Sequence, residues 1–486
     1  GRLIIRVSRD AWHWETVYDN PKHPAPADGS PKEFAFTFPA RPVKQVWISG
    51  TNLPVINYLH AFSIAEVQVI DEKGENAALV SRGAGVTVSS TEWYISSQRE
   101  THQQLWPVHY DLGVKWVRIN YAGSVLNWRF VERVKGQYEI DPEADAAVTQ
   151  TVDNGCRIIF GLGFTNWLYT PQGRANPKDE KQLFWNNEMS VPFPRADVPG
   201  MLDGFKNFVR FMVNQYKDRV DYYEIMNETS GGYGGWADVP GQVYTQYVKE
   251  ISPLIKKLDP GAKVVLSSLT SFGPGRSVGL DWLRDRLQEG IGPYLDVIAW
   301  HGYYGVDPKS TTWKNYPKDV AEAREMAKAH GFRGEYMHTE WCNWAPYPSS
   351  IVEWLPSITE IVKAKVMARF AIMDQSHDVL FFWNETWSDG HIERDVGLFR
   401  NTFSADPQSP SQPQPAYYVL RTLCTVFDGA RPAPMAMEFS NKERELECWT
   451  FALSNGDRLV SVSLAGDSHD TSPDYSTDIR IPGKSF

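Results

Sequence analysis

Tyr222-Tyr-Glu-Ile-Met-Asn-Glu228 is a largely apolar, strand-sized run that ends on two polar residues, Asn227 and Glu228. Two amphipathic stretches of helical length flank it, Met201–Tyr216 and Tyr244–Leu258. A strand of this kind between two helices is the βαβ pattern of a parallel sheet covered on both faces. Outward from it the same alternation recurs. Strand-like runs stand at Trp116–Asn120, Arg157–Gly163, Lys263–Ser267, Leu295–Trp300, Glu335–Thr339 and Val379–Trp383, with further helical stretches at Val320–His330 and Ile358–Asp374. An eighth, short strand is expected at Gly136–Ile140. Eight such units over roughly 300 residues fit a (β/α)8 TIM barrel better than an open sheet.

Both ends of the chain read differently. Residues 1 to about 90 hold short strands at Leu3–Val7, Glu33–Phe38, Gln45–Ser49, Ala65–Ile70 and Gly85–Ser89, joined by Pro-, Gly-, Asp- and Asn-rich connectors. After a helix expected at Pro415–Phe427, strands return at Met435–Phe439, Leu446–Leu453, Arg458–Leu464 and Thr477–Ile481. Short strands with turn signals and no helical period argue for an antiparallel sandwich. The expected organisation is therefore a catalytic (β/α)8 barrel over residues 91–428 and an accessory antiparallel β-sandwich built from residues 1–90 and 429–486. Phe62–Gly83 resembles the closing part of discoidin-like carbohydrate-binding sandwiches.

Composition narrows the partners. A formal charge of -10 disfavours a polyanion such as nucleic acid. No apolar run approaches the ~18 residues that would suggest a membrane span. The chain carries 19 Trp and 22 Tyr, whose flat apolar faces and polar edges suit sugar rings, although most aromatic residues are expected in the core. The four cysteines do not make a disulfide scaffold. Cys156 opens an apolar run and reads as a buried thiol, Cys342 has no obvious partner, and Cys424 and Cys448 lie in segments that could pair. Neither Cys-x-x-Cys nor His-Glu-x-x-His occurs, so a structural or protease-type zinc site is not expected. The chain opens at Gly1 without a basic stretch and apolar core, so a signal peptide is absent or already removed.

In a (β/α)8 barrel the chemistry sits at the C-terminal ends of the strands. Polar residues there are Arg118, Asn120, Asn166, Asn227, Glu228, His301, Tyr303, Glu340, Asn384 and Glu385. Glu228 and Glu340 each close an apolar strand, three βα units apart. Two carboxylates at one barrel mouth suit glycosidic cleavage, which needs an acid on one side of the bond and a nucleophile or base on the other. Arg118 nearby would favour an ionised nucleophile, and Tyr303 could donate a hydrogen bond to it. Asn227 could hold a sugar 2-hydroxyl. Trp167, Trp341, Trp344 and Trp383 fall on strand-end loops as candidate stacking platforms.

These motifs in this order resemble clan A, the retaining glycoside hydrolases on (β/α)8 barrels. The likeness covers about residues 105–400. Trp116-Val-Arg-Ile, Asp296-Val-Ile-Ala-Trp-His-Gly-Tyr-Tyr304 and Phe382-Trp-Asn384 further resemble glycoside hydrolase family 39 and its relatives. The resemblance implies Glu228 as acid/base after strand 4 and Glu340 as nucleophile on strand 7. It implies supporting or sugar-binding roles for Arg118, Asn227, His301, Tyr303 and Trp383. It also implies an oligo- or polysaccharide substrate and no cofactor or metal.

Other readings are weaker. An Asn-Glu pair alone means little, since it also occurs at Asn187-Glu188 and Asn384-Glu385. His338, two residues before Glu340, is expected in a packed structural layer. The Asn-x-Thr sequons at Asn227 and Asn384 lie inside the expected mouth, where a glycan would block it. Gly275-Arg-Ser-Val-Gly279 matches the esterase Gly-x-Ser-x-Gly, but a loop separates it from the preceding strand, which disfavours Ser277 as a nucleophile. Gly231-Gly-Tyr-Gly-Gly-Trp236 lacks the Lys-Ser/Thr of a phosphate loop and reads as a loop over the cleft. The alternative of another class is a catalytically silent carbohydrate-binding barrel, which would have no use for both carboxylates.

Overall fold

The structure, a computed structural model, describes residues 2–9, 14–23, 34–51, 55–56, 59–60, 68–77, 112–119, 125–163, 166–169, 199–231, 239–270, 278–301, 312–341, 345–346, 359–383, 394–395, 398–400, 412–466, 468 and 475–481. The chain divides into two compact units, residues 1–89 with 399–412 and residues 90–398 with 413–486.

In the first unit, β1 (Arg2–Ser8) is the central strand of an antiparallel sheet, with β2 (Trp14–Asn20) and β3 (Gln45–Thr51) on either side. Leu3, Ile4, Ile5 and Val7 are buried, as a run paired on both edges should be. β2 lies where the sequence analysis places no strand, between the expected strands Leu3–Val7 and Glu33–Phe38. The expected strand at residues 34–38 is irregular, and residues 85–89 lie outside the described residues.

The second unit is a parallel sheet of seven described strands: β4 (Trp116–Ile119), β5 (Arg157–Leu162), β6 (Tyr222–Ile225), β7 (Lys263–Val265), β8 (Val297–His301), β9 (Glu335–Trp341) and β10 (Leu380–Trp383). Sheet order follows chain order, and the crossovers carry helices α1 (Pro142–Asp153), α2 (Met201–Tyr216), α3 (Gly241–Leu258), α4 (Val278–Gln288), α5 (Thr312–Ala329) and α6 (Glu360–Ser376). Local signals start these helices where they should. Asp141 Oδ1 accepts from the backbone of Glu143 and Ala144 ahead of α1, and Thr359 Oγ1 accepts from Val362 ahead of α6. Inward side chains from all seven strands form one cluster: Ile159, Tyr222, Val265, Val297, Ala299, Met337 and Phe382, with Trp116 and Leu380 against them. Trp116 on the first strand lies edge-on to Phe382 on the last, ring centroids 6.3 Å apart, so the sheet is a nearly closed TIM-like barrel.

Gly136–Ile140 is not a barrel strand. β4 pairs directly with β5, leaving no place between them. Val134 and Gln137 instead form an isolated bridge, with Gly136 at φ +79, where a glycine is at ease.

After α7 (Pro415–Val426) come the antiparallel strands β11 (Arg431–Pro432), β12 (Glu438–Phe439), β13 (Leu446–Ala452), β14 (Arg458–Leu464) and β15 (Ile479–Arg480), paired β11–β13–β14 and β12–β15. These terminal strands pair among themselves, as those of the first unit do. Arg369 on α6 forks onto Glu447 of β13 at 2.8 and 3.1 Å and reaches the Gly466 carbonyl at 2.6 Å, tying this sheet to the barrel helix. Cys156, Cys424 and Cys448 are free thiols, so Cys424 and Cys448 do not pair; burial pushes the Cys424 thiol up to about 11. Among the described residues no helix is long and apolar enough to cross a membrane.

Gly334 leads into β9, and a Cβ there would stand 1.8 Å from the Asp296 carbonyl oxygen, backbone that cannot swing aside. Gly334→Ala is expected to destabilise the chain by about 3 kcal/mol in urea unfolding, the upper range for overpacking.

Candidate active site

Alternation along the strands decides what reaches the mouth. On β4, Trp116 enters the core cluster, so Arg118 also points inward, one layer higher. On β6, Tyr222 is in that cluster and Glu224 follows it inward. Arg118 then becomes the hub. Its Nε donates to Glu224 Oε2 at 2.7 Å, Nη1 to Glu340 Oε1 at 2.7 Å, and Nη2 to Asn227 Oδ1 at 2.6 Å.

Glu340 reaches this hub because β9 carries one extra residue. Trp300 of β8 pairs with His338, but His301 pairs with Glu340, so Thr339 is skipped. Met337 lies in the barrel core and His338 faces the helix layer, where its Nδ1 sits 2.7 Å from Asp374 Oδ2 on α6. Strict alternation would send Glu340 to the same outer face as His338; the bulge turns it to the mouth. Thr339 instead bonds Ser268 across the barrel, Oγ to Oγ1 at 2.7 Å. His338 is fully buried in a structural network with Asp374, Tyr316 and Trp300, as expected.

Glu228 comes to the site on an unusual backbone. Met226 and Glu228 both have positive φ, +70 and +51, a region costly for residues with a Cβ and found where function requires it. Hydrogen bonds pin the segment: Met226 N–H to Leu162 O, Glu228 N–H to Ser268 O at 3.1 Å, and Thr229 N–H to Ser267 Oγ at 3.1 Å. The Glu228 carboxyl meets His301, with Oε1 2.7 Å from Nδ1; the same nitrogen is 3.4 Å from Glu340 Oε2. Glu228, His301 and Glu340 thus bring ligand-type atoms within 4.8 Å of one another, the one such grouping among the described residues. Glu340 is 3% exposed and Glu228 8%, so both are buried. Low local dielectric strengthens the Arg118–Glu340 ion pair there. The arrangement can hold a carboxylate ionised against a guanidinium and place a second carboxyl, with an imidazole for a proton partner, across a gap of a few ångströms.

The remaining sequence candidates fall as follows. Arg118, Asn227, Glu228, His301 and Glu340 come together. Asn166 is fully buried and its amide is used locally, donating to Trp128 O and Glu132 O and accepting from Leu168 N–H. Trp167 is 4% exposed and packs on Phe130. Trp341 is fully buried, stacked on Phe370 at 5.0 Å and edge-on to Trp383 at 5.4 Å. Trp383 is half-buried, and its Nε1 has no hydrogen-bond partner among the described residues. Tyr303, Ser277, Cys342, Trp344, Asn384, Glu385, Asn187-Glu188 and the loop residues 232–236 lie outside the described residues. Sequence reading missed Glu224 and Ser268. A lone acid inside Tyr-Tyr-Glu-Ile, matched by a lone Arg inside Trp-Val-Arg-Ile, was the available signal, since charges in apolar strands are buried in pairs.

No family model matches the chain, and no curated protein does. Solved structures do. A family 39 glycoside hydrolase from the gut symbiont Bacteroides cellulosilyticus WH2 superposes with TM-score 0.54 and 16% identity, over 74% of this chain and 67% of that one. A monomeric β-xylosidase of Caulobacter crescentus CB15 matches at TM-score 0.47 and 17% identity, over 75% and 69%. Xylanase B of Clostridium stercorarium F9 matches at 0.41 and 14%, over 63% and 89%. The first of these shows that the chain shares the fold of a family 39 glycoside hydrolase.

Proposed function

We propose that the chain is a retaining glycoside hydrolase that cleaves an oligo- or polysaccharide by double displacement. Glu340 attacks the anomeric carbon while Glu228 protonates the departing glycosidic oxygen, so the C–O bond breaks as the ester to Glu340 forms. Glu228, now ionised, takes a proton from water, whose oxygen displaces Glu340 and releases the sugar. Arg118 supports the ionised form of Glu340, and His301 supports Glu228 through its 2.7 Å contact. Asn227, between the hub and the acid, is suited to a sugar 2-hydroxyl, and Trp383 to a sugar face. We extend this to Tyr303 and Asn384 as sugar contacts.

The observation that carries the reading is the gap between the two carboxyls. Their nearest oxygens lie within 4.8 Å, which is nearer to the ~5–5.5 Å of retaining enzymes than to the ~6.5–9.5 Å of inverting ones. Hydrolysis of a panel of aryl glycosides, followed by NMR, tests it. The first sugar released should keep the anomeric configuration of the substrate. An inverted product would rule out double displacement, and tight sugar binding without any turnover would favour a barrel that only binds.

A further inference from the structure

Glu224 has no solvent exposure, yet its carboxylate is fully used. Oε2 takes the Arg118 Nε–H at 2.7 Å; Oε1 takes the Ser268 N–H at 3.0 Å and the Ser268 hydroxyl at 2.6 Å. A planar guanidinium held at Nε has its two remaining nitrogens fixed in direction. Here those two meet Glu340 and Asn227.

We propose that Glu224 is the positioning residue of this site, acting through Arg118 on both Glu340 and Asn227. The proposal rests on the glycosidase reading. One guanidinium lies between two carboxylates, so Glu340 keeps an ion pair without being fully neutralised. It stays anionic and remains basic enough to attack. The same anchor turns Asn227 so that its Oδ1 faces the guanidinium and its amide hydrogens face away from it. Glu224 meets no substrate and transfers no proton.

Glu224→Gln removes the charge and keeps the shape. Among the described residues, the charged and titratable groups facing Glu340 include Arg118, Glu224, Glu228 and His301, and only Glu224 changes in this variant. Losing a negative charge that shares Arg118 lowers the pH at which Glu340 ionises. A 13C titration of the Glu340 carboxyl, which needs no substrate, should show its midpoint falling by about one unit. With an aryl glycoside, the acidic limb of kcat/KM should move down with it, and the plateau should fall by up to about a hundredfold. Ser268→Ala, which keeps both charges, should leave the limb in place. An unmoved Glu340 midpoint in Glu224→Gln overturns the proposal, whether or not activity falls. If Glu224→Gln does not fold, Glu224→Asp keeps the charge and withdraws the anchor. It should lower kcat/KM without moving the limb, and wild-type kcat/KM in that variant overturns the proposal. A wild-type chain that cleaves no glycoside sinks the functional reading alone, because the titration still decides on Glu224.

Discussion

Glu340→Gln should lose activity on every substrate, whatever its leaving group, by roughly a thousandfold or more in kcat/KM. The side-chain amide keeps the volume of the carboxyl and can still accept from Arg118 Nη1, so the site stays assembled. What disappears is the negative charge that forms the bond to the anomeric carbon. Folding should survive, because Arg118 retains Glu224 as its ionic partner. Steady-state kinetics on aryl glycosides with good and poor leaving groups check this. A variant that recovered with better leaving groups would show that Glu340 is not the nucleophile.

Glu228→Ala should behave differently, and the contrast separates the two roles. A dinitrophenyl leaving group needs almost no proton, so the first step should survive with that substrate while the second, which needs a base for water, stalls. With a poor leaving group the variant should be nearly inactive. Azide attacks without a base, so adding it should restore turnover and yield a glycosyl azide of retained configuration. Azide rescue of the Glu340 variant instead, with an inverted product, would exchange the two roles. His301 bears on the same test, because truncating Glu228 removes the carboxyl that its Nδ1 meets.

Much of the barrel is legible in the sequence because its strands are buried on both sides and its helices are amphipathic. Met201–Tyr216 is a helix over the expected bounds, and the strand Tyr222–Ile225, just before Asn227-Glu228, sits where its apolar run predicts. Two classes of feature are not legible. The first is local register. Nothing in Met-His-Thr-Glu-Trp announces that Thr339 is the extra residue, yet that bulge decides whether Glu340 faces the barrel mouth or the helix layer. The second is how deeply an aromatic is packed. Trp341 follows Glu340 directly and reads as a stacking platform, but it is fully buried among Phe370, Phe381 and Trp383. The sequence pattern also foretells strands near the C terminus without revealing that Arg369, 78 positions away from Glu447, fastens them to α6.

The hub at Arg118 bears on how the molecule comes to life during folding. Its bonds reach 106, 109 and 222 positions along the chain, and through Glu224 they extend to Ser268 and Thr339. Contacts this distant in sequence form late, since the loop entropy must be spent before they return anything. A nascent chain that has delivered Arg118, Glu224 and Glu228 still lacks Glu340 and has nothing to ionise against the last arm of the guanidinium. The hub is therefore complete only when β4, β6 and β9 are all in the sheet. On the glycosidase reading, turnover is expected only once the nearly closed sheet has brought β9 round to β4.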